Sequence, residues 1–188
     1  MKSRSQGFTL LELIVVVVIL GVLAVTAAPR FLGVQRDAHE ALAQGAFSAF
    51  RNSIDMYHSQ WLVDGEPAFD QVVNYGEGDV YPSETGFPIS VREQPPTGDP
   101  QVEGDQCVAL WNSLIDSDLV ARSQYDTGFI LPSDEAIVSW YTGTPECYYY
   151  YTPSFTTSER LPILYYSPIT GESESNPRNG EHRSLVTI

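Results

Sequence analysis

The chain has 188 residues, 43 % of them hydrophobic and 12 % aromatic, and a formal net charge of −14. That length holds one ordinary domain plus an additional element, and the composition supports a packed core. The charge has the wrong sign for holding phosphates, so nucleic acid is not an expected partner.

In chain order, the only lysine, Lys2, and Arg4 precede Phe8–Ala28, a nearly unbroken apolar run. At about 1.5 Å per helical residue, about 20 residues cross a ~30 Å hydrocarbon layer. The cations in front predict a cytoplasmic N-terminus and an exported body. A cleavable secretory signal fits weakly, with small residues between Ala24 and Ala28 as its site. A plain membrane anchor fits the run but explains neither Glu12 nor the abrupt Gly7–Phe8 boundary.

A third reading explains both. The stretch GFTLLELIVVVVILGVLAVTAAP resembles the type IV pilin N-terminus. Its wording is most similar to pilins of the mannose-sensitive haemagglutinin (MSHA) type, strongly over about residues 1–45. The resemblance implies a leader, residues 1–7, cut by a prepilin peptidase after Gly7. It further implies N-methylation of Phe8 and an assembly role for Phe8 and Glu12, the fifth residue of the mature chain. A carboxylate alone in lipid is costly. In a fibre, the cationic amine of Phe8 in one subunit can meet Glu12 of a neighbour. In a dry core an unpaired member of such a pair is penalised heavily, so the pair sets register and recruitment. A protonated carboxyl tolerated near the interface is the alternative.

One long helix is expected from about Phe8 to about Gln60. Residues 8–28 form its membrane-spanning or fibre-core half, and residues 29–60 an amphipathic half clamped to the head. Phe31, Val34, Ala38, Ala41, Leu42, Gly45, Ala46, Ala49, Phe50, Ile54 and Tyr57 recur at helical spacing, and Gly65 ends the helix at the latest. Gly21 and Pro29 bracket a weak segment: interior Gly costs about 1 kcal/mol and Pro removes a backbone donor. The resemblance implies unwinding there in a fibre; a simple Pro kink is the alternative.

Residues 61–188 read as the globular head. Trp61–Asp105 is expected to be a long loop with short strands at most. CVALWNSLIDSDL has helical spacing, with Cys107 at its start. Strand-like runs follow at Ala136–Thr142, Cys147–Thr152 and Leu161–Pro168. GTPE is a hairpin turn between the first two, PITGE a closing turn, and Ser184–Ile188 a last strand. The expected fold is therefore α+β: the type IV pilin fold, a long N-terminal helix packed on an antiparallel β-sheet head.

Cys107 and Cys147 can hold a disulfide in an exported body; two free buried thiols are the alternative. The resemblance also implies a disulfide in the C-terminal half. In the run Tyr148–Tyr151, alternation puts successive rings on opposite faces, one of them core. Sugar stacking and electron conduction are the functional alternatives for that run. Asp99, Glu103 and Asp105, and Asp116 with Asp118, suit solvated loops better than a calcium site. His39, His58 and His182 lack metal-ligand spacing, and no catalytic motif is present. No catalysis, metal or cofactor is expected.

The expected function is structural. The chain would be the subunit of an MSHA-like type IV pilus, a helical homopolymer used for adhesion and biofilm formation. Its partners would be itself, the prepilin peptidase and the pilus assembly machinery. It would sit in the inner membrane as a prepilin and then in an extracellular fibre. A minor pilin, a pseudopilin of a type II secretion system, and an anchored binding protein that never polymerises are the alternatives.

Overall fold

The computed structural model describes residues 8–93, 95, 102–127, 137–140, 143–156 and 159–176, without the side chains of Pro29, Leu32, Asp126 and Thr127. The chain divides into two units, one up to His39 and one from Glu40 onward.

The first unit is helical. Helix α1 is assigned over Leu10–Val63, and its apolar residues in this unit, from Leu10 to Val25, are exposed. It is one helix long and apolar enough to cross a membrane. The backbone stays helical through Gly21 and Pro29. Ahead of the proline, the Thr26 hydroxyl donates to the carbonyls of Leu23 at 3.0 Å and Val22 at 3.3 Å. Pro29 has no N–H to give the Val25 carbonyl, so the ladder is thinned at this point.

The second unit contains the remainder of α1 and the head. Ala43, Phe47, Phe50, Ile54 and Tyr57, three or four residues apart, are all buried, which is why this stretch helps build a core. The helix runs past the expected end at Gln60 to Val63. The reason is the cap: the Gly65 N–H donates to Leu62 at 3.2 Å and the Glu66 N–H to Trp61 at 3.0 Å, with Gly65 at φ +85°. That pattern closes a helix on a left-handed glycine and satisfies carbonyls that would otherwise be orphaned.

Strands β1 (Val80–Pro82) and β2 (Pro88–Val91) form a small antiparallel pair within the expected loop. Helix α2 covers Gly104–Leu114. Its start is fixed by Gln106, whose Oε1 accepts the Glu103 N–H at 2.9 Å. Ile115 and Leu119, expected on this helix, lie beyond it, since Ile115 is already extended.

The main sheet has the order β3-β4-β5-β6-β7, with β3 at Ala121–Ser123, β4 at Ile137–Trp140, β5 at Cys147–Tyr151, β6 at Ile163–Tyr166 and β7 at Ser173–Ser175. The short helix α3 (Gln124–Thr127) follows β3. The α+β layout is the expected one, with two corrections. The sheet is mixed, because β3 runs parallel to β4 while the other pairs are antiparallel. β3 and β7 were also unforeseen. Each is three residues long and largely polar (ARS and SES), too short to show a period-two pattern. The expected strand Ser184–Ile188 lies outside the described residues, as do Ala136, Tyr141 and Thr142 at the ends of the β4 run.

The core is built on aromatic rings. Phe50 stacks on Trp111 at 5.2 Å and meets Tyr149 and Tyr166 edge-on at 5.1 and 5.8 Å. Three buried tyrosine hydroxyls donate to backbone carbonyls of other segments: Tyr57 to Val80, Tyr149 to Cys107 and Tyr166 to Pro88. Each joins two elements while satisfying a buried polar group.

Candidate functional site

The N-terminal segment concentrates the candidate residues. Phe8 is 83 % exposed, and Thr9 precedes the first helical residue, Leu10. The Glu12 carboxylate accepts the Thr9 N–H at 2.9 Å and the Thr9 hydroxyl at 2.8 Å, while the Thr9 hydroxyl oxygen accepts the Glu12 N–H at 3.3 Å. This is a reciprocal capping box, which satisfies two otherwise orphaned donors of the first turn. Thr9 is the residue that sequence reasoning missed. Its signal was present, because T-L-L-E has the Ser/Thr-x-x-Glu spacing of such a box. In the single chain, then, Glu12 is already hydrogen-bonded. Both bonds fall on Oε2, and a carboxylate has further acceptor sites for a second partner.

Gly21 lies in the helix with open space where a Cβ would be. Gly7 and the leader, residues 1–7, lie outside the described residues.

In the head, Cys107 and Cys147 are joined in a disulfide that links the first turn of α2 to the start of β5. The bond spans a sequence separation of 40. Tyr149 and Tyr151 face the core, paired in register with Ser139 and Ile137. Tyr150 points to the opposite face yet is only 3 % exposed, so that face is covered there too and the tyrosine run is no open platform. Burial raises the Tyr150 hydroxyl to about 12 and holds Tyr57, Tyr149 and Tyr166 above the ordinary tyrosine range.

The acidic residues do not converge. Glu103 precedes α2, Asp105 lies in its first turn, and Asp116 and Asp118 are exposed beyond its end. Asp99 lies outside the described residues. Among the described residues no group of three or more His, Cys, Asp or Glu could hold a metal ion. His58 stacks between Trp61 and Phe87, with Nδ1 3.1 Å from the Gly86 carbonyl. His39 lies on α1, and His182 lies outside the described residues.

A helix long and apolar enough to cross a membrane, opening on a Thr–Glu capping box, and an α+β head are together a pilin-like layout. Residues 2–28 match the model of the prokaryotic N-terminal methylation motif. The type II secretion system core protein G of Aeromonas hydrophila is 45 % identical over 56 residues, covering 30 % of this chain and 39 % of that protein. The counterpart from Vibrio cholerae serotype O1 is 49 % identical over 57 residues, 30 % of this chain and 39 % of its own length. The type IV narrow pilus major component PilA5 of Thermus thermophilus is 37 % identical over 75 residues, 40 % of this chain and 63 % of that protein. The chain thus spans less than two thirds of the length of these relatives. No solved structure matches it. The chain carries the prokaryotic N-terminal methylation motif, and the part of it that matches is similar both to type II secretion core protein G and to a type IV pilus major component.

Proposed function

We propose that the chain is a structural filament subunit, the building block of an MSHA-like type IV pilus that serves adhesion and biofilm formation. The observation that carries this is the exposed apolar stretch from Leu10 to Val25, in which Glu12 is the one ionisable side chain. In the inner membrane lipid covers that surface, and in a filament the same surface of other subunits does. A prepilin peptidase removes residues 1–7 and methylates Phe8; with Lys2 and Arg4 gone, nothing cationic on the leader holds the chain at the cytoplasmic face. The pilus assembly machinery then draws the subunit into the fibre, and the head becomes the outer surface. The role is mechanical, with no catalytic step.

A second reading, a pseudopilin of a type II secretion system, is favoured by the core protein G relatives. Filaments sheared from the producing cells distinguish the two. If this chain dominates them by mass spectrometry, beginning at methylated Phe8, the pilus reading stands. Its absence from surface filaments, with accumulation of protein substrates in the periplasm when the chain is deleted, would establish the pseudopilin instead. A chain that remains in the membrane with residues 1–7 attached would overturn both.

A further inference from the structure

Two tyrosines of the main sheet share one carboxylate. Tyr148 of β5 stands opposite Tyr165 of β6 in the antiparallel register, so both side chains project to the same face. Their rings lie 5.3 Å apart, tilted by 59°, within the ordinary range for an aromatic pair. Glu146, just ahead of β5, binds both. Its Oε1 accepts the Tyr165 hydroxyl at 2.9 Å, and its Oε2 accepts the hydroxyls of Tyr148 at 3.3 Å and Thr144 at 3.1 Å. A carboxylate is smaller than either ring, so the oxygen-bearing edges of the two rings converge on it. The ring carbons beside each hydroxyl belong to those edges.

Those carbons are where phenoxyl radicals couple. A phenol gives up an electron far more easily when its proton leaves as well, and a carboxylate within hydrogen-bond reach is a base for that proton. Burial first, and Glu146 second, raise both hydroxyls, Tyr165 to about 12, so at neutral pH both are still phenols and need such an acceptor. Another tyrosine pair supplies the contrast. The Tyr57 and Tyr75 rings are 5.5 Å apart, but Tyr57 is buried and donates to the Val80 carbonyl, which is no base. Tyr149 and Tyr166 also donate to carbonyls from buried positions. Tyr148 and Tyr165 are only half-buried.

We infer that Tyr148 and Tyr165 form an intramolecular dityrosine cross-link when the head meets a one-electron oxidant of the haem-peroxidase type, with Glu146 taking the phenolic protons. Each ring loses one electron to the oxidant and one proton through Glu146 to solvent. The two radicals join by a carbon–carbon bond between positions beside the hydroxyls. The hydrogens on those two carbons then move to the oxygens as protons, which restores both phenols. In all, the pair gives up two electrons and two protons, which reduce one hydrogen peroxide to two waters. The new bond ties β5 to β6 beside Cys147, whose disulfide already ties β5 to α2, so three elements of the head become covalently joined. The inference goes beyond the filament reading and holds for a single folded chain, so the two fail separately.

The test treats the full-length protein in detergent micelles with hydrogen peroxide and a haem peroxidase at neutral pH. The monomer is expected to lose the mass of two hydrogen atoms and to gain dityrosine fluorescence. Once the disulfide is reduced, trypsin cutting at Arg160 leaves Tyr148 and Tyr165 on separate peptides, and the cross-link holds these together. Tyr165→Phe keeps the ring without the hydroxyl and is expected to abolish the joined peptides. Glu146→Gln keeps an acceptor of the same size that is not a base, and is expected to slow cross-linking at least about tenfold. No joined peptides, coupling confined to dimers through the exposed Tyr125, coupling of Tyr57 with Tyr75 instead, or an unchanged rate in a folded Glu146→Gln protein would each overturn the inference.

Discussion

A single substitution can separate the cap that Glu12 makes from the assembly role proposed for it. In the chain by itself its carboxylate caps the helix through Thr9; in the proposed filament it would supply a charge to the Phe8 amine of a neighbour. Gln serves as well as Glu at the third position of a capping box, but it carries no charge. Glu12→Gln is therefore expected to leave the helix start and membrane insertion intact while sharply reducing filaments, counted by electron microscopy. Glu12→Ala loses both roles, and the cap contributes on the order of 1 kcal/mol. Abundant filaments from the Glu12→Gln strain would show that the cap, and not the charge, is what the residue supplies. Gly171 is a second position where one atom decides. A Cβ there would collide with the Phe87 ring, and the backbone sits at φ +72°. Phe87 in turn stacks on His58. Gly171→Ala is expected to destabilise the head by roughly 1–3 kcal/mol, read as a lowered thermal midpoint; an unchanged midpoint would mean that the turn relaxes freely.

Among the elements, those long enough to display a period were legible in the sequence. The buried face of α1 was visible as apolar residues at three- and four-residue spacing, and the β5 and β6 runs as aromatic and branched clusters. The parallel β3 was not, because its pairing depends on a partner more than ten residues away and its three residues carry no pattern of their own. The tyrosine run was legible only in part: alternation correctly split it between two faces, one of them core, but whether the outer face is covered depends on parts of the chain remote in sequence. Two element-scale outcomes follow from α1 and the disulfide. The helix holds through Gly21–Pro29 in the single chain, yet one carbonyl there lacks its donor and Gly21 adds about 1 kcal/mol of weakness. Helix density in a filament map is expected to break between these residues, and continuous helix would refute it. Replacing both Cys107 and Cys147 by Ser is expected to cost about 3–4 kcal/mol on the chain-entropy account. The check is a urea titration, where the midpoint should fall and the slope rise as the unfolded chain loses its cross-link; an unchanged midpoint would assign the stability to the Phe50–Trp111–Tyr149 packing instead.

For the whole head, the buried tyrosines set a limit on the alkaline side. Tyr150 titrates at about 12 against an ordinary value of 10.0, and Tyr57, Tyr149 and Tyr166 are displaced upward by burial as well. A raised value means that the folded state keeps a proton the unfolded chain has released. Above pH 10 the unfolded state therefore binds fewer protons, and stability falls as pH rises. The stabilisation is complete below the unfolded value and is lost progressively as pH climbs through the folded one, at about 1.4 kcal/mol per pH unit for each such group. Three of these hydroxyls also donate to backbone carbonyls that join separate segments, so ionising one opens a contact between elements and exposes the others. The head is expected to unfold cooperatively between pH 10 and about 12, with tyrosinate absorbance and far-ultraviolet circular dichroism changing together. If tyrosinate formed in full near pH 10 while the circular dichroism stayed native, the hydroxyls would have to be reached by solvent in the folded head, and the aromatic core would be more open than the packing of Phe50, Trp111 and Tyr149 allows.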